Sequence, residues 1–196
     1  MHPELISLSL FFFVTSCSPG PNNIVASHSG FNHGIKKTIP LMLGVILGFT
    51  SMLSLVNFGL INIFNSYPII QKILVYSGSI FLVYLSYRIS FSKSAKQDDK
   101  LKPVKFVETF LFQFLNPKGV MVAIIAVSTY IESGKNFIPY SIWMIGIGFL
   151  CAIISINFWT LIGKFMRKFA TNEKFIKWFN YAMSSLLLLC IATFYY

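Results

Sequence analysis

One lysine and three asparagines of this chain stand where a membrane-buried sequence rarely carries polar groups. Lys118 is the one basic residue inside a long apolar stretch, and Asn116 precedes it by two positions. Asn22 and Asn23 hold a similar place in the first apolar stretch. An ammonium at that depth attracts a carboxylate, and asparagine amides both donate and accept hydrogen bonds. These residue types favour a site for a small solute that carries an amine and a carboxylate.

Both groups of polar residues coincide with sequences that interrupt a helix. The first is Ser18-Pro19-Gly20-Pro21-Asn22-Asn23, and the second is Asn116-Pro117-Lys118-Gly119. Proline removes a backbone donor, and each unpaired backbone group in hydrocarbon is costly. Such a break persists where it faces protein or a wet cavity. The two sequences therefore predict walls of a polar pathway, to which Pro19, Gly20, Pro21 and Pro117 contribute.

Each of these residues also has a plainer interpretation. Lys118 would extend to lipid headgroups if it lay near the membrane surface, and the asparagines would cap broken helix ends. Asn57 and Asn157 are candidates either for hydrogen bonds between helices or for contact with a solute. The loop histidines, His28 and His33, are weaker candidates for proton transfer. No acidic residue lies well inside an apolar stretch, so no carboxylate is evident for proton coupling.

The composition is that of an integral membrane protein. Of the 196 residues, 55% are hydrophobic and 11% are charged, and the mean hydropathy is +0.69. A span needs about 20 apolar residues, which predicts an all-α protein with six transmembrane helices and no separate soluble domain. The predicted spans are residues 5–27, 38–64, 68–90, 106–130, 137–163 and 175–195.

The net charge of +10 is concentrated in alternate loops. These basic residues are Lys36, Lys37, Arg88, Lys93, Lys96, Lys100, Lys102, Lys105, Lys164, Arg167, Lys168, Lys174 and Lys177. Because cytoplasmic loops carry the excess of Lys and Arg, the pattern places both termini outside. We expect these side chains to lie against anionic membrane lipid and not to bind nucleic acid.

An internal repeat divides the chain. A shift of 100 positions aligns Gly48-Phe49 with Gly148-Phe149 and Asn57-Phe58 with Asn157-Phe158. The predicted repeats are residues 1–92 and 106–196, joined by a basic linker at 93–105. Since each holds three spans, the second enters the membrane from the opposite side, which gives inverted repeats with broken helices in spans one and four. Chance similarity between apolar segments is the alternative.

Close helix packing is indicated by the spacing of Gly44 and Gly48, which lets two helix backbones approach. Such faces are compatible with a homodimer without requiring one.

The order of these motifs resembles that of the LysE-type amino-acid exporter family, which includes lysine and homoserine/threonine exporters. The resemblance rests on residues 18–23, the following glycines and Leu115-Asn116-Pro117-Lys118, and extends over essentially the whole chain. It implies a bacterial cytoplasmic-membrane exporter, usually thought to draw on the proton gradient. Many members have aspartate where this chain has Asn22, which implies another coupling route or another solute here.

The resulting hypothesis is a secondary transporter that exports an amino acid or a related zwitterion by alternating access. The sequence leaves open a transporter of an ion or another metabolite, and a membrane assembly subunit that transports nothing. An enzyme has little support, because the chain lacks the motifs of metalloproteases, serine hydrolases and P-loop proteins. We expect no cofactor and no metal.

Overall fold

The computed structural model describes residues 3–91, 104–131, 136–170 and 172–192, and within these ranges all regular structure is helical. The helices are α1 (Pro3–Cys17), α2 (Pro21–Leu55), α3 (Ile61–Ser66), α4 (Pro68–Ser90), α5 (Phe106–Leu115), α6 (Pro117–Tyr130), α7 (Phe137–Met166) and α8 (Glu173–Ala192). A π-helical turn at Val56–Leu60 follows α2, and a 3-10 turn at Arg167–Phe169 follows α7. Most of the predicted basic linker, 93–105, lies outside the described residues.

The helices have the length and composition of membrane spans, which confirms the predicted class of helical membrane protein. Four described helical stretches are long and apolar enough to cross a bilayer: Pro21–Phe64, Pro68–Ser90, Phe137–Phe169 and Glu173–Ala192. The pair α5 and α6, bent by 58° at its break, makes a fifth when the two helices are counted as one span. Large apolar side chains cover the outer faces, Ile80 being 72% exposed and Ile142 66%, as lipid contact requires.

Gly34 divides α2 into two helical segments, residues 21–33 and 35–55. Its backbone is left-handed, with φ 74° and ψ 173°, a conformation that glycine adopts without the steric cost of a Cβ. The hydroxyl groups of Ser29 and Thr38, on the two sides of this turn, are 2.9 Å apart and hydrogen bond. The turn lies between the first and second predicted spans.

Small residues bring α2 against two other helices. A Cβ at Gly30 would collide with the carbonyl of Thr160, and one at Gly163 would collide with the carbonyl of Ser27, so α2 and α7 touch backbone to backbone. Further along α2, Gly48 lies so close to α5 that a Cβ would come within 2.7 Å of the Phe110 carbonyl oxygen. The packing role predicted for Gly44 and Gly48 is confirmed, since a Cβ at Gly44 would likewise collide with the carbonyl oxygen of Phe106 on α5. These contacts fix the first break of the chain between α5 and α7.

Candidate functional site

The first break separates α1 from α2 at residues 18–20. Gly20 is extended, with φ −169° and ψ 173°, and Pro21 occupies the first turn of α2, where its missing N–H costs nothing. The side chain of Asn23 turns back from α2 and donates to the carbonyl oxygens of Ser16 at 2.7 Å and Ser18 at 2.9 Å. Asn23 therefore satisfies carbonyl groups at the end of α1, as the capping interpretation predicts.

The second break separates α5 from α6 at a single residue. Asn116 is extended, with φ −82° and ψ 102°, and Pro117 opens α6 in the same way that Pro21 opens α2. Helix α4 packs directly against this break, because a Cβ at Gly78 would collide with the carbonyl oxygen of Leu115.

The two breaks meet through Lys118. Its ammonium donates to Ser18 Oγ at 2.7 Å, to the Ser18 carbonyl oxygen at 3.1 Å and to the Pro19 carbonyl oxygen at 3.4 Å. Ser18 and Lys118 are 100 residues apart in sequence. Gly20 leaves room for this arrangement, since a Cβ there would lie 2.9 Å from Lys118 Nζ. Lys118 thus points to the other break.

Other side chains of the second half complete the end of α1. Ser155 Oγ donates to the Ser16 carbonyl oxygen at 2.6 Å, and Trp159 Nε1 donates to that of Cys17 at 3.2 Å. Together with Asn23 and Lys118, these donors reach every carbonyl from Ser16 to Pro19. The broken end of α1 is therefore closed by α7 and α6.

A cavity opens between the two breaks. Six of the predicted site residues line it: Gly20, Pro21, Asn22, Asn23, Asn116 and Lys118. Its volume is about 60 Å³, and one water needs about 10–15 Å³. The cavity therefore has room for several waters. Pro19 and Pro117 shape the breaks beside it without being among its lining residues.

The structure does not bring Asn57 and Asn157 to this cavity. Asn57 is buried and its Nδ2 donates to Ser141 Oγ at 2.8 Å, which joins the π-helical turn after α2 to α7. Asn157 is exposed and donates to the Ile153 carbonyl within its own helix at 2.8 Å. Asn157 lies on a different side of α7 from the cavity, whereas Ser155, two residues earlier on the same helix, faces it. His28 is buried in α2, 7% exposed, and is likewise absent from the lining.

Gln113 and Ser155 are site residues that the sequence reasoning missed. Gln113 is fully buried and forms a reciprocal amide pair with Asn22, its Oε1 accepting at 2.8 Å and its Nε2 donating at 3.0 Å. Ser155 Oγ also donates to Asn23 Oδ1 at 3.2 Å. A lone glutamine in the apolar run of α5, one turn before Asn116, was the available signal.

The cavity has a positive electrostatic character. Among its described lining residues, Lys118 is the one that carries a charge. The first turns of α2 and α6 both border it, and neither has a side-chain cap. Their first backbone N–H groups lack helical partners, and the helix dipole adds partial positive charge there. This arrangement attracts a carboxylate.

One acceptor in the lining stays unpaired. Asn116 is 2% exposed, and its Oδ1 has no hydrogen-bond partner. An unsatisfied buried oxygen of this kind costs about 1–3 kcal/mol. Among the residues that the structure describes, Asn57 Oδ1 is the other such oxygen, and it lies outside the cavity.

Comparison with known proteins gives a consistent picture. Residues 13–196 match the family model described as "LysE type translocator". A cysteine/O-acetylserine efflux protein of Escherichia coli O139:H28 (strain E24377A / ETEC) is 28% identical over 205 residues, which cover 100% of both chains. The proteins of that name from Escherichia coli (strain K12) and Shigella sonnei (strain Ss046) show the same identity and coverage. No solved structure matches the chain.

Proposed function

Because this chain belongs to the LysE-type translocator family, we propose that it exports small amino acids with uncharged side chains across the bacterial cytoplasmic membrane. Members of this family are translocators and not enzymes. The observation that carries the proposal is the meeting of both helix breaks at one cavity, where Lys118 and two helix N-termini favour a carboxylate. Cysteine and O-acetylserine, named for the relatives, are the first candidates.

The preference for uncharged side chains comes from the rest of the lining. Val45, Phe49, Val122 and Ile156 surround the polar break residues with apolar surface. No carboxylate is present among the described lining residues to pair with a cationic side chain. An unpaired charge at this depth is costly, so lysine or arginine would be a poor solute.

The proposal includes six spans arranged as two inverted repeats. A straight helix over Pro21–Phe64, 44 residues, would be about 66 Å long at 1.5 Å per residue, roughly twice the hydrocarbon thickness. The turn at Gly34 resolves this excess by starting a new span. Residues 3–33 then form the first span, broken at 18–20, as residues 106–130 form the fourth. The repeats are residues 1–92 and 106–196, with 93–105 as linker.

Each break lies near the middle of its span. Helix α1 has 15 residues and α5 has 10, so the breaks follow about 22 Å and 15 Å of helix. Half of a hydrocarbon core is about 15 Å. Lys118 is then far from the headgroups, which favours the interpretation of its ammonium as part of a solute site.

Contacts at the two ends of the bundle support the proposed orientation. At one end, Arg167 donates to the carbonyls of Phe31 at 3.0 Å and Asn32 at 2.7 Å, beside the turn that carries Lys36 and Lys37. Away from these basic residues, the start of α1 contacts the end of α6, where Ser7 Oγ and Tyr130 OH are 2.9 Å apart. The basic end would face the cytoplasm and both termini would face outward.

In the proposed cycle the solute replaces protein contacts of Lys118. The carboxylate takes the ammonium from Ser18 and Pro19, which loosens the bridge between the two breaks, and the halves then rock around the bound solute. Coupling to the proton gradient is part of the proposal. Asn22 and Gln113 cannot ionise, so Lys118 is the titratable group that the described lining offers for it.

An efflux assay tests the transport function. Cells expressing the chain are loaded with dipeptides that release labelled cysteine or other amino acids, and the label leaving the cells is timed. We expect Lys118→Met to lower efflux at least 10-fold, towards that of cells without the chain. The matched control is Lys72→Met, since Lys72 is exposed on α4 and remote from the lining. Equal efflux with and without the wild-type chain, for all common amino acids, would refute the proposal.

Energy coupling needs a separate measurement in vesicles. Purified protein is reconstituted, and uptake of the solute found above is compared with and without an imposed pH gradient. Faster transport along the gradient supports proton coupling. Identical rates would contradict the coupling and leave the export function in place.

A further inference from the structure

The unpaired oxygen of Asn116 distinguishes this residue from the other polar groups of the cavity. Asn116 Oδ1 is buried without a partner, although the residue stands in a break that lines a cavity large enough for water. Buried polar groups in native proteins almost always have a hydrogen-bond partner, which is another protein group, water or a bound ligand. A donor on a bound solute would satisfy this oxygen.

The neighbouring acceptors are already occupied. Asn23 Oδ1 accepts from Ser155 at 3.2 Å, and Gln113 Oε1 accepts from Asn22 at 2.8 Å. The carbonyl oxygens at the end of α1 accept from Asn23, Ser155, Trp159 and Lys118. Lys118, two residues from Asn116, directs its ammonium to the first break. Asn116 Oδ1 is thus the buried amide oxygen of the lining that can accept from a solute without giving up a protein bond.

We propose that Asn116 Oδ1 accepts a hydrogen bond from the α-ammonium of the exported amino acid and makes that group a requirement for transport. This inference rests on the proposed function. A rotation of the amide about its terminal torsion, which is broad, turns the oxygen to the solute. The carboxylate of the solute contacts Lys118 and the helix N-termini, and its ammonium donates to the amide oxygen of Asn116. A carboxylic acid that lacks the amino group leaves the oxygen unpaired.

The size of the discrimination follows from the type of bond. A hydrogen bond between an ammonium and a buried amide oxygen is charge-assisted and is stronger than a neutral one. We expect an amino acid to bind about 10- to 100-fold more tightly than its analogue without the amino group.

The test compares paired solutes on paired variants. The solutes are cysteine and 3-mercaptopropionate, and O-acetylserine and 3-acetoxypropionate. Their affinities are measured by thermal stabilisation of the purified full chain and by competition for uptake into vesicles. Asn116→Leu removes the acceptor at similar volume, Asn116→Asp retains an acceptor, and Asn57→Leu removes the other unpaired oxygen away from the cavity.

The expected results separate a ligand contact from a structural role. Asn116→Leu should lower the affinity for the amino acid to that of its analogue and leave the analogue's own affinity unchanged. Without solute, this variant should melt at or above the wild-type temperature, because an unsatisfied group has been removed. Asn116→Asp and Asn57→Leu should both retain the preference for the amino acid.

Three outcomes would overturn the inference. The first is an undiminished preference for the amino acid in Asn116→Leu. The second is an empty Asn116→Leu protein that unfolds or melts below wild type, which would assign the amide a structural role. The third is loss of the preference in Asn116→Asp, which would assign the amide nitrogen to the solute carboxylate. If wild type itself neither binds nor moves any amino acid, the proposed function fails together with the inference.

Discussion

The contact between α2 and α7 offers the sharpest test of how the breaks are held. At Gly163, an added Cβ would lie closer to the Ser27 carbonyl than real Cβ atoms come, and this neighbour is backbone that cannot rotate away. Overpacking a well-packed interface costs about 1–3 kcal/mol, and a backbone neighbour places Gly163→Ala near the upper limit. For a chain of this size, about 3 kcal/mol lowers the melting temperature by roughly 6–12 °C.

Gly146 provides the matched control on the same helix. It is exposed, and a Cβ there would meet nothing within 4 Å. Gly146→Ala should therefore not lower the melting temperature, and the better helix propensity of alanine favours a small rise. The melting curves are recorded for purified proteins in detergent by size-exclusion chromatography after heating.

Gly30 extends the test across the same crossing. A Cβ at Gly30 would collide with the Thr160 carbonyl, so Gly30→Ala should destabilise about as much as Gly163→Ala. The double variant should lose less stability than the sum of the two single losses, because the first substitution already moves the helices apart. If the melting temperature of Gly163→Ala were within about 2 °C of that of Gly146→Ala, less than the shift expected for a chain of this size, the reasoning about this contact would be refuted.

Three further predictions follow from single contacts. Lys118→Arg should abolish efflux despite the retained charge, because the planar guanidinium group of arginine does not fit the space that Gly20 leaves for an ammonium. Efflux at the wild-type rate in this variant would contradict the prediction. Asn22→Ala and Gln113→Ala should each cost about 1–3 kcal/mol, and the double variant no more than either in a thermal double-mutant cycle, whereas additive losses would argue against the amide pair. Ser184→Ala should lower stability by about 1 kcal/mol, because it removes the 2.6 Å hydrogen bonds of Ser184 Oγ to Ser86 Oγ and from Ser90 Oγ, and an unchanged melting curve would show that these bonds do not stabilise the fold.

The break residues were predictable from sequence because proline and glycine act locally. Pro21 and Pro117 open α2 and α6 as their positions imply, and Lys118 was identified by its charge in an apolar run. Their meeting was predicted from the proposed inverted repeat, an architecture in which paired breaks lie at one depth.

The partners of those residues were not predictable in the same way. Asn157 was selected because it repeats Asn57, yet a repeat in sequence does not fix which side of a helix faces a cavity, and Asn157 faces outward. Ser155 and Gln113 reach the site through helix rotation and tertiary packing. Serine is common in membrane helices, so its presence in α7 gave no distinguishing signal.

The hydrogen bonds at the end of α1 constrain how the transporter can move. The carbonyl of Cys17 accepts from Trp159 of α7 and that of Pro19 accepts from Lys118. The carbonyls of Ser16 and Ser18 accept from Ser155 and Lys118 as well, but they also accept from Asn23 of the first half. Unpaired carbonyl groups are costly in hydrocarbon, so in the proposed cycle the halves separate at the breaks only when water or solute replaces each lost donor. A carboxylate that takes Lys118 from Ser18 removes one donor, and the waters that enter with it supply another. In the proposed cycle, the broken helices would therefore couple opening of the cavity to binding of the solute.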